Sequence, residues 1–408
     1  MPWNRTDRMS ERMKFIAAYL EYEARFTDLC CDFGVSRKTG YKWVRRYGRD
    51  GAGALEDRSR APHAHPNAVR ETVVHAILSI RRRHPRWGPR KLRVVLKRQQ
   101  PRMVLPAAST IGDLLKRNGL VRRRRRVRRS SPYGDRLRQY DAPNAVWCAD
   151  FKGCFPLGGR DGERCHPLTI SDGFSRYLLR CRALRRPLHR CAKGVFESAF
   201  REYGLPRAIR TDNGPPFSTL APGGLSRLAV WWIRLGIRPE RILPGRPDQN
   251  GRHERMHSTL KAETAKPPRS SFSAQQRAFD RFQVEYNEAR PHEALGQQVP
   301  ALLYRPSLRA FPKRLPEVEY PSHFDTRVAY PNGVITFGST QWILSNCVAG
   351  ERVGLEPCED GRWRVHFGWV AIGLLDLKRA TDRGNRQFGR LTPIVDTSRR
   401  RRRPPYGR

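Results

Sequence analysis

The arginine run at residues 122–129 is the feature that most restricts how this chain can fold. Seven of its eight residues are arginine, and a Ser-Ser-Pro segment follows it. A block of like charges repels itself and does not pack into a core. We therefore predict a basic linker over residues 122–135, which divides an N-terminal third from the rest of the chain.

The net charge indicates the kind of partner that such a chain needs. The 408 residues include 80 Lys and Arg against 38 Asp and Glu, a net charge of +42, and residues 1–130 hold 33 of the basic and 11 of the acidic side chains. A hydrophobic share of 38% is enough for folded cores, so the chain is not a disordered polycation. We expect a polyanionic partner, double-stranded DNA by default, contacted in the linker by Arg122, Arg123 and Arg124.

Membrane and secreted proteins do not fit the pattern. No apolar run approaches the roughly 18 residues of a membrane span, and the first ten residues lack the apolar stretch of a secretory signal. The nine cysteines are odd in number, irregular in spacing and without a C-x-x-C pair. We interpret them as reduced thiols of a cytoplasmic protein, with a hidden metal site as the alternative.

The first 60 residues have the pattern of a helix-turn-helix domain. The predicted helices cover residues 8–22, 25–31 and 37–47, with Gly34 in the turn and Ser36 as a cap. The residues predicted to face a core are Phe15, Ile16, Tyr19, Leu20, Leu29, Val35 and Trp43. Those predicted to face outward, towards DNA bases, are Arg37, Lys38, Thr39, Tyr41 and Lys42. A helical hairpin with a solvated basic face is the alternative.

Residues 61–121 predict a second, winged-helix-like module. Its predicted helices are 68–83, 90–99 and one that Ser109 caps and Gly119 ends. Residues 81–98 carry nine basic and no acidic side chains, and we expect Arg90 and Lys91 to contact DNA. Whether one or both modules read bases stays open.

From residue 136 the pattern changes to mixed strands and helices. The predicted strands are 145–154, 166–171, 177–181 and 208–211, and the predicted helices are 188–203, 225–235 and 252–264. This order indicates an α/β domain over residues 136–305. Residues 306–385 predict a small β-barrel, because Asn-Gly and Asp-Gly turns at 332–333 and 360–361 favour hairpins, and a basic tail follows at 386–408. The predicted barrel core is Val334, Ile335, Trp342, Ile343, Val353, Trp363, Val365 and Trp369.

Three acids stand out against this basic background. Asp150 lies in mid-strand, where a carboxylate is costly unless something offsets its charge. Asp212 follows a strand that Gly214 ends, and Glu254 lies at the start of a helix after a Gly- and Pro-rich loop. Oxygen ligands from these three elements could converge on two divalent cations, as phosphodiester chemistry requires. Taken singly, each acid also has a structural interpretation: a partner for a buried arginine, a turn former, or a charge in the first turn of a helix.

The segments around these acids resemble those of DDE transposases of bacterial insertion sequences, in the retroviral-integrase superfamily. The matching segments are residues 147–153, 172–177, 211–214, 244–255, 286–287 and 290–292. The resemblance extends over about residues 10–375. It implies a multidomain chain with two N-terminal all-α helix-turn-helix modules, a central α/β catalytic core of RNase H-like fold, and a small C-terminal β-barrel of SH3-like type.

By that resemblance Asp150, Asp212 and Glu254 are the catalytic triad and bind two Mg²⁺ (or Mn²⁺) ions. Lys261, on the same helix face as Glu254, matches a family position that contacts DNA. The implied activity is 3′-end cleavage at the terminal inverted repeats of an element, then strand transfer into target DNA without a covalent protein intermediate. The implied assembly is a dimer or tetramer on DNA, associated with the bacterial nucleoid.

Two departures and two rival functions accompany the resemblance. Asp212 and Glu254 are separated by 41 intervening residues, more than is usual in the family, and the extra length near residues 220–224 predicts a longer loop. Asp248 is a distant rival of Glu254, and Asp172 is interpreted as structural. The rivals are an inactive or domesticated relative that regulates as a sequence-specific DNA-binding protein, and a repair nuclease of the same fold. Intact motifs around all three acids disfavour the regulator, and tandem DNA-reading modules disfavour the nuclease.

Overall fold

A computed structural model of the chain divides into two compact units, residues 1–71 and 72–408. It describes residues 8–21, 25–57, 68–121, 140–151, 153–159, 162–219, 224–242, 251–358, 361–379, 381–383 and 386–392. The basic linker with Arg122, Arg123 and Arg124, residues 393–408 of the predicted basic tail, Asp248 and the turn residue Asp360 lie outside this set, so their predictions stay predictions. The start of the predicted tail is instead a strand, because Arg386–Arg390 pairs with Thr340–Ile343. The predicted domain boundaries also stay predictions.

The first unit is a three-helix module. Its helices are α1 (Arg8–Leu20), α2 (Phe26–Asp32) and α3 (Arg37–Asp50), followed by a 3₁₀ turn at Ala52–Leu55. Ser36 caps α3 as predicted, because its side chain accepts the Thr39 backbone N–H. Gly40 lets α3 approach its neighbours closely, since a Cβ there would lie 2.8 Å from the Cys30 sulfur. The core contains Phe15, Ile16, Leu29 and Trp43, with Val35 packed against it.

Two apolar residues of α1 correct the sequence prediction. Tyr19 and Leu20 were expected in the core, but they are 39% and 63% exposed. The helix ends at Leu20, so its last turn extends past the small core that Phe15 and Ile16 enter.

The second unit begins with another three-helix module. Its helices are α4 (Glu71–Arg83), α5 (Pro89–Gln99) and α6 (Ala108–Arg117). Ile77, Leu92, Leu96 and Ile111 are fully or almost fully buried. Ser109 is not the cap of α6: the helix starts one residue earlier, and Ala107 occupies the N-cap without a side-chain hydrogen bond.

A mixed sheet forms the centre of the second unit. Its strands are β1 (Val146–Phe151), β2 (Phe155–Pro156), β3 (Arg164–Asp172), β4 (Leu178–Leu184), β5 (Ala208–Thr211) and β6 (Arg238–Arg241). The order is β4-β3-β1-β5-β6, with the short β2 also paired to β3. Strands β4, β3 and β1 are antiparallel, whereas β1, β5 and β6 are parallel. The predicted α/β domain is confirmed, and β6 is a strand that the sequence analysis did not predict.

Helices cover both faces of this sheet. They are α7 (His189–Tyr203), α8 (Arg227–Arg234), α9 (Gly251–Thr264), α10 (Phe272–Val284) and the short α11 (Pro300–Leu303). One core joins the sheet to α7 and α8, and a second joins it to α9 and α10. Helix α8 is apolar on two sides. Leu228, Trp231 and Trp232 face the sheet, while Val230 and Ile233 enter the core of the C-terminal domain.

The C-terminal domain consists of two four-stranded sheets. Its strands are β7 (Asp325–Val328), β8 (Val334–Phe337), β9 (Thr340–Ile343), β10 (Arg352–Pro357), β11 (Arg362–Phe367), β12 (Val370–Asp376), β13 (Thr381–Arg383) and β14 (Arg386–Arg390). The strand orders are β12-β11-β10-β7 and β13-β14-β9-β8. Neither sheet closes on itself in the described residues, so an SH3-like barrel is not confirmed. Most predicted core residues are buried, but Ile343 and Trp369 are 40% and 52% exposed.

Two further findings bear on the sequence analysis. The nine cysteines are free thiols, as predicted. Within the described ranges, none of the helices has the length and apolarity needed to cross a bilayer.

Candidate active site

Asp150 occupies the penultimate position of β1. Trp147 and Ala149, on one face of the strand, belong to the core shared with α7 and α8. Because side chains alternate along a strand, Asp150 lies on the other face, where His257 of α9 is its neighbour. The His257 Nδ1 atom is 3.5 Å from Asp150 Oδ2, and the Asp150 side chain keeps only 16% of its surface exposed.

Asp212 follows β5, the parallel neighbour of β1. The last paired residues of the ladder are Cys148 and Arg210. Asp150 and Asp212 each lie two residues further along the chain. The register therefore places both acids on the same face of the sheet, at the carboxyl ends of two neighbouring central strands. Neighbouring strands are about 4.8 Å apart, which is a separation that carboxylates sharing a cation require.

One oxygen of the Asp212 carboxyl lacks a hydrogen-bond donor among the described residues. Its Oδ1 atom is buried and has no hydrogen-bond partner among the described residues. Burial raises the pKa of Asp212, and a hydrogen bond from the Gly214 backbone N–H opposes this effect. Gly214 also gives the carboxyl room, since a Cβ at that position would lie 3.1 Å from Oδ2. A buried carboxylate oxygen without a donor is a fitting ligand for a hard cation.

Glu254 lies near the start of α9, on its exposed side. Ser258 and Lys261 follow at positions four and seven residues further, so all three share one exposed stripe. The opposite side of α9 is buried and packs on the sheet. Lys261 is therefore on the same helix face as Glu254, as predicted from the spacing.

The strand register thus places Asp150 and Asp212 at the same ends of two neighbouring strands, and Glu254 lies in the first turn of α9. Among the described residues, no group of three or more His, Cys, Asp or Glu side chains is close enough to hold a metal ion. The residues directly before α9, 243–250, lie outside the description. The assignment of the three acids as one triad stays a prediction.

Two buried histidines beside the acids were missed in the sequence analysis. His253 and His257 are each 2% exposed and lie on the sheet-facing side of α9 with Met256 and Leu260. A signal was present, because residues 253, 256, 257 and 260 repeat at the spacing of a single helix face. Arg210, two residues before Asp212, forms a buried 2.9 Å ion pair with Glu240 of the neighbouring strand β6.

Asp172 has the structural role that was expected. Its Oδ1 accepts the Asn144 backbone N–H at 2.8 Å, and its Oδ2 accepts both the N–H and the hydroxyl of Ser175. Burial raises the pKa of Asp172, and these hydrogen bonds offset that effect. The carboxylate therefore stabilises the turn between β3 and β4.

Comparisons with known proteins assign the domains. Two integrase core domain models match residues 141–247 and 235–300, a helix-turn-helix domain model matches residues 11–63, and a homeodomain-like domain model matches residues 39–115. A 31.7 kDa protein of insertion element IS407 from Burkholderia multivorans is 28% identical over 245 residues, which are 58% of this chain and 82% of that protein. Residues 141–300 therefore carry an integrase core domain, and the chain is similar to proteins of bacterial insertion elements.

Other relatives extend the integrase comparison. A 39.2 kDa protein of insertion element IS476 from Xanthomonas euvesicatoria is 28% identical over 58% of this chain and 65% of its own length. Among solved structures, the simian T-cell lymphotropic virus intasome with PP2A regulatory subunit B56 gamma matches at 18% identity and a TM-score of 0.35, covering 72% of this chain and 97% of that chain. The HTLV-2 integrase catalytic core domain in complex with magnesium matches at 16% identity and a TM-score of 0.32, covering 40% and 99%.

The first helix-turn-helix module exposes most of its predicted DNA contacts. Arg37, Lys38, Tyr41 and Lys42 are exposed on α3. Thr39 is half-buried, and its hydroxyl lies 2.9 Å from the Ser36 hydroxyl, so it contributes to the helix cap. A role for these residues in DNA binding stays a prediction.

The second module presents Arg90 and Lys91 differently. Arg90 forms a 2.9 Å ion pair with Glu293 of the integrase core. Lys91 is half-buried, and burial together with the nearby positive charge of Arg290 lowers its pKa to about 8. Both residues thus contact the core of the same compact unit, and their predicted contacts with DNA stay untested.

Proposed function

We propose that this chain is the DDE-type transposase of its insertion sequence. It would bind the terminal inverted repeats, cleave the 3′ ends of the element and transfer them into target DNA. The observation that carries the proposal is the matched placement of Asp150 and Asp212 on parallel neighbouring strands, with a buried Asp212 oxygen that has no donor among the described residues. The insertion-element relatives support the same function.

Asp150, Asp212 and Glu254 would hold two Mg²⁺ or Mn²⁺ ions. Asp150 and Asp212 supply oxygens from the edge of the sheet, and Glu254 would complete the site from the start of α9. Two such ions activate an attacking oxygen and stabilise a leaving oxygen in phosphodiester chemistry. The protein's part is to fix three carboxylates around the scissile phosphate, which the rigid β1 and β5 ladder favours for two of them.

The reaction would proceed in two displacements at phosphorus. Water attacks the phosphodiester at the end of the element, a new P–O bond forms, and the bond to the 3′ oxygen breaks to release a 3′-hydroxyl. That hydroxyl then attacks a phosphodiester of the target, joins to its phosphorus and displaces the target's own 3′ oxygen. Each step exchanges one P–O bond for another, so neither needs a covalent protein intermediate.

The rest of the chain would hold the DNA. Arg37, Lys38 and Lys42 of α3 are placed to enter a major groove, and Lys261 to contact DNA beside Glu254. Because two element ends must meet one target, we expect a dimer or tetramer on DNA. We also place the protein in the bacterial cytoplasm, on the nucleoid.

Replacing Glu254 with glutamine tests the proposed chemistry. The change keeps size and removes one negative charge, so binding of element ends should stay within about twofold. Cleavage should fall by about 1,000-fold or more, because several kcal/mol of metal-assisted stabilisation are lost. The measurement is 3′-end cleavage of a labelled terminal-repeat duplex in Mg²⁺, with end binding followed by gel shift.

Glu197→Gln is the matched control for this test. Glu197 is on the outer side of α7, where it pairs with Arg201 one turn away. The Glu197→Gln variant makes the same chemical change away from the proposed active site. Its cleavage rate should equal that of the wild type. Equal cleavage by the Glu254→Gln variant would overturn the triad, and a wild type that binds but never cleaves would favour the regulator.

A further inference from the structure

The buried face of α9 presents two histidines to the sheet, one turn apart. His253 and His257 are each 2% exposed, and their rings meet edge to face at 4.5 Å between centroids. Glu254 lies between them in sequence and on the exposed side of the same helix. Buried imidazoles need hydrogen-bond partners, so their contacts reveal how this helix is held.

Both imidazoles reach one hydroxyl. The Thr169 Oγ1 atom lies 2.7 Å from His253 Nε2 and 2.6 Å from His257 Nε2. Thr169 is fully buried on β3 and is the direct cross-strand partner of Asp150. A threonine hydroxyl carries a single proton, so it donates to one imidazole and accepts from the other. With that arrangement the two histidines would hold opposite tautomers.

The outer ring nitrogens decide which histidine donates. His257 Nδ1 is 3.5 Å from the Asp150 Oδ2 atom, and His253 Nδ1 is 3.2 Å from the Ser171 Oγ atom. An ionised Asp150 carboxylate would only accept, which would place a proton on His257 Nδ1 and leave its Nε2 to accept the Thr169 hydroxyl. His253 then donates from Nε2 to Thr169, and its Nδ1 accepts the Ser171 hydroxyl.

We propose that this directed chain, from Ser171 through His253, Thr169 and His257 to Asp150, positions the active site. Its last link orients the Asp150 carboxylate, and its two histidines fasten the helix of Glu254 to β3. Thr169, His253 and His257 are thus positioning residues for two of the three acids at once. The inference rests on the proposed function for its kinetic consequence, but the chain itself is a property of the folded protein.

The Asp150 backbone carbonyl competes for the Thr169 hydroxyl. Its oxygen lies 3.2 Å from Thr169 Oγ1, farther than either imidazole nitrogen. A hydroxyl turned towards that carbonyl would leave both histidines able to donate from Nε2, and His257 would no longer carry its proton on Nδ1. The tautomer of His257 therefore distinguishes the chain from simple packing.

Nitrogen NMR of the full-length protein labelled with ¹⁵N-histidine reads these tautomers without any activity measurement. We expect a proton on Nδ1 and an accepting Nε2 in His257, and a proton on Nε2 and an accepting Nδ1 in His253, assigned by replacing each histidine in turn. A His257 protonated on Nε2 would overturn the proposal, even if the protein cleaves DNA. An inactive wild type with the expected tautomers would instead contradict the proposed function alone.

Two substitutions of His257 test the effect on catalysis. His257→Asn keeps an N–H donor at the position of Nδ1, whereas His257→Gln reaches towards Thr169 and loses the donor to Asp150. We expect the glutamine variant to cleave element ends with a kcat lowered about 10–100-fold and an unchanged KM for the DNA, as loss of an outer partner of a metal ligand does. The asparagine variant should stay within about fivefold of the wild type, since it retains the donor to Asp150.

Thermal unfolding of the two variants excludes a purely structural effect. Both remove one imidazole from the same buried site, so their midpoints should agree within about 3 °C. A purely structural role for His257 would lower kcat in proportion to lost stability. Equal kcat for the two variants, or a lower kcat for His257→Asn, would overturn the positioning role.

Discussion

The two helix-turn-helix modules share a three-helix plan and a basic composition, but their basic side chains have different surroundings. In the first module, Arg37 and Lys38 are exposed at the start of α3. In the second, Arg81 donates to the Leu120 carbonyl, His84 lies 2.9 Å from Glu285, and Arg98 donates to the Gln297 carbonyl. Contacts with other residues therefore engage part of the basic surface of the second module, although Arg90 and Arg98 stay exposed.

One contact of the second module leads to the helix that carries Glu254. Arg290, beside Lys91, forms a 2.9 Å ion pair with Glu263 in the last turn of α9. The second module thus belongs to the same compact unit as the integrase core, whereas the first forms a compact unit of its own. We infer that the first module reads bases and that the second supports the core.

The largest expected effect is a loss of DNA affinity when basic residues of the first module are replaced, compared with the same change in the second module. Replacing Arg37 and Lys38 together by alanine should weaken binding to element ends by about 30-fold or more, because each contact with a base or phosphate contributes roughly 1–3 kcal/mol. The matched replacement of Arg90 and Lys91 should cost less than about threefold. Fluorescence anisotropy with a terminal-repeat duplex measures both dissociation constants.

The salt dependence of the same two variants provides the control. Each lost phosphate contact should reduce the slope of log affinity against log salt by about 0.9. We expect a reduced slope for the first pair and an unchanged slope for the second. An equal reduction for both pairs would mean that the second module also grips DNA, and the comparison would fail.

A smaller effect concerns acid stability, which should depend on the junction of the second module with the core. Burial of His292, with the positive charges of Lys91, Arg290 and Arg176 near it, lowers its pKa from 6.5 to about 3. The unfolded chain therefore binds one more proton than the folded chain between these values. The contribution of His292 to the free energy of unfolding is fully present above pH 6.5. It should fall by about 1.4 kcal/mol per pH unit as the pH drops below that value.

Comparison with a His292→Gln variant isolates this effect. Urea unfolding at pH 7 and pH 5 should give the wild type the steeper loss, while the variant keeps only the slope due to the other titratable groups, among them His166 and His189. Residues 1–62 contain no histidine, so the first module has no counterpart of this transition. Identical pH slopes for wild type and variant would show that His292 is not buried as a neutral group.

The smallest effect concerns Lys91 itself. Its lowered pKa means that the charged ammonium is disfavoured in the folded protein, so Lys91→Met should raise stability at pH 7 by about 1 kcal/mol, discounted for its partial exposure. Wild-type stability should accordingly increase as the pH rises from about 8 towards the ordinary lysine value, where the unfolded chain still holds its proton.

Lys42→Met in the first module is the matched control. Lys42 is exposed, so its replacement should change stability by less than about 0.5 kcal/mol while weakening DNA binding. A Lys91→Met variant that is less stable than the wild type would mean that Glu263 and Glu293 hold the ammonium more strongly than burial opposes it. Thermal unfolding of both variants gives the comparison.

Local patterns in the sequence were sufficient for most elements of the fold. The range of β5, residues 208–211, was predicted without error, because Gly and Pro punctuate both ends of a short apolar run. Helix α9 was predicted to begin within one residue of its observed start. Asp150 and Asp212 could be placed on strand and strand end for the same reason.

Features that depend on distant contacts escaped prediction. Strand β6 reads Arg-Pro-Glu-Arg, which is typical of a loop, and Glu240 is buried only because Arg210 pairs with it. Lys91 has the local appearance of a DNA-contacting lysine, but residues about 200 positions away enclose it. Ile343 and Trp369 are apolar enough for a core, and only the arrangement of the two sheets leaves them exposed.

Helix α8 has a consequence for how such proteins can be divided or recombined. Its Trp231 and Trp232 complete the hydrophobic core beneath the sheet, and its Val230 and Ile233 complete that of the C-terminal domain. Removing the C-terminal domain would expose apolar side chains that each contribute about 1.5–3 kcal/mol when buried. The integrase core and the β domain should therefore melt together and resist separation by proteases, and a chimaera that exchanges one of them would have to carry the other.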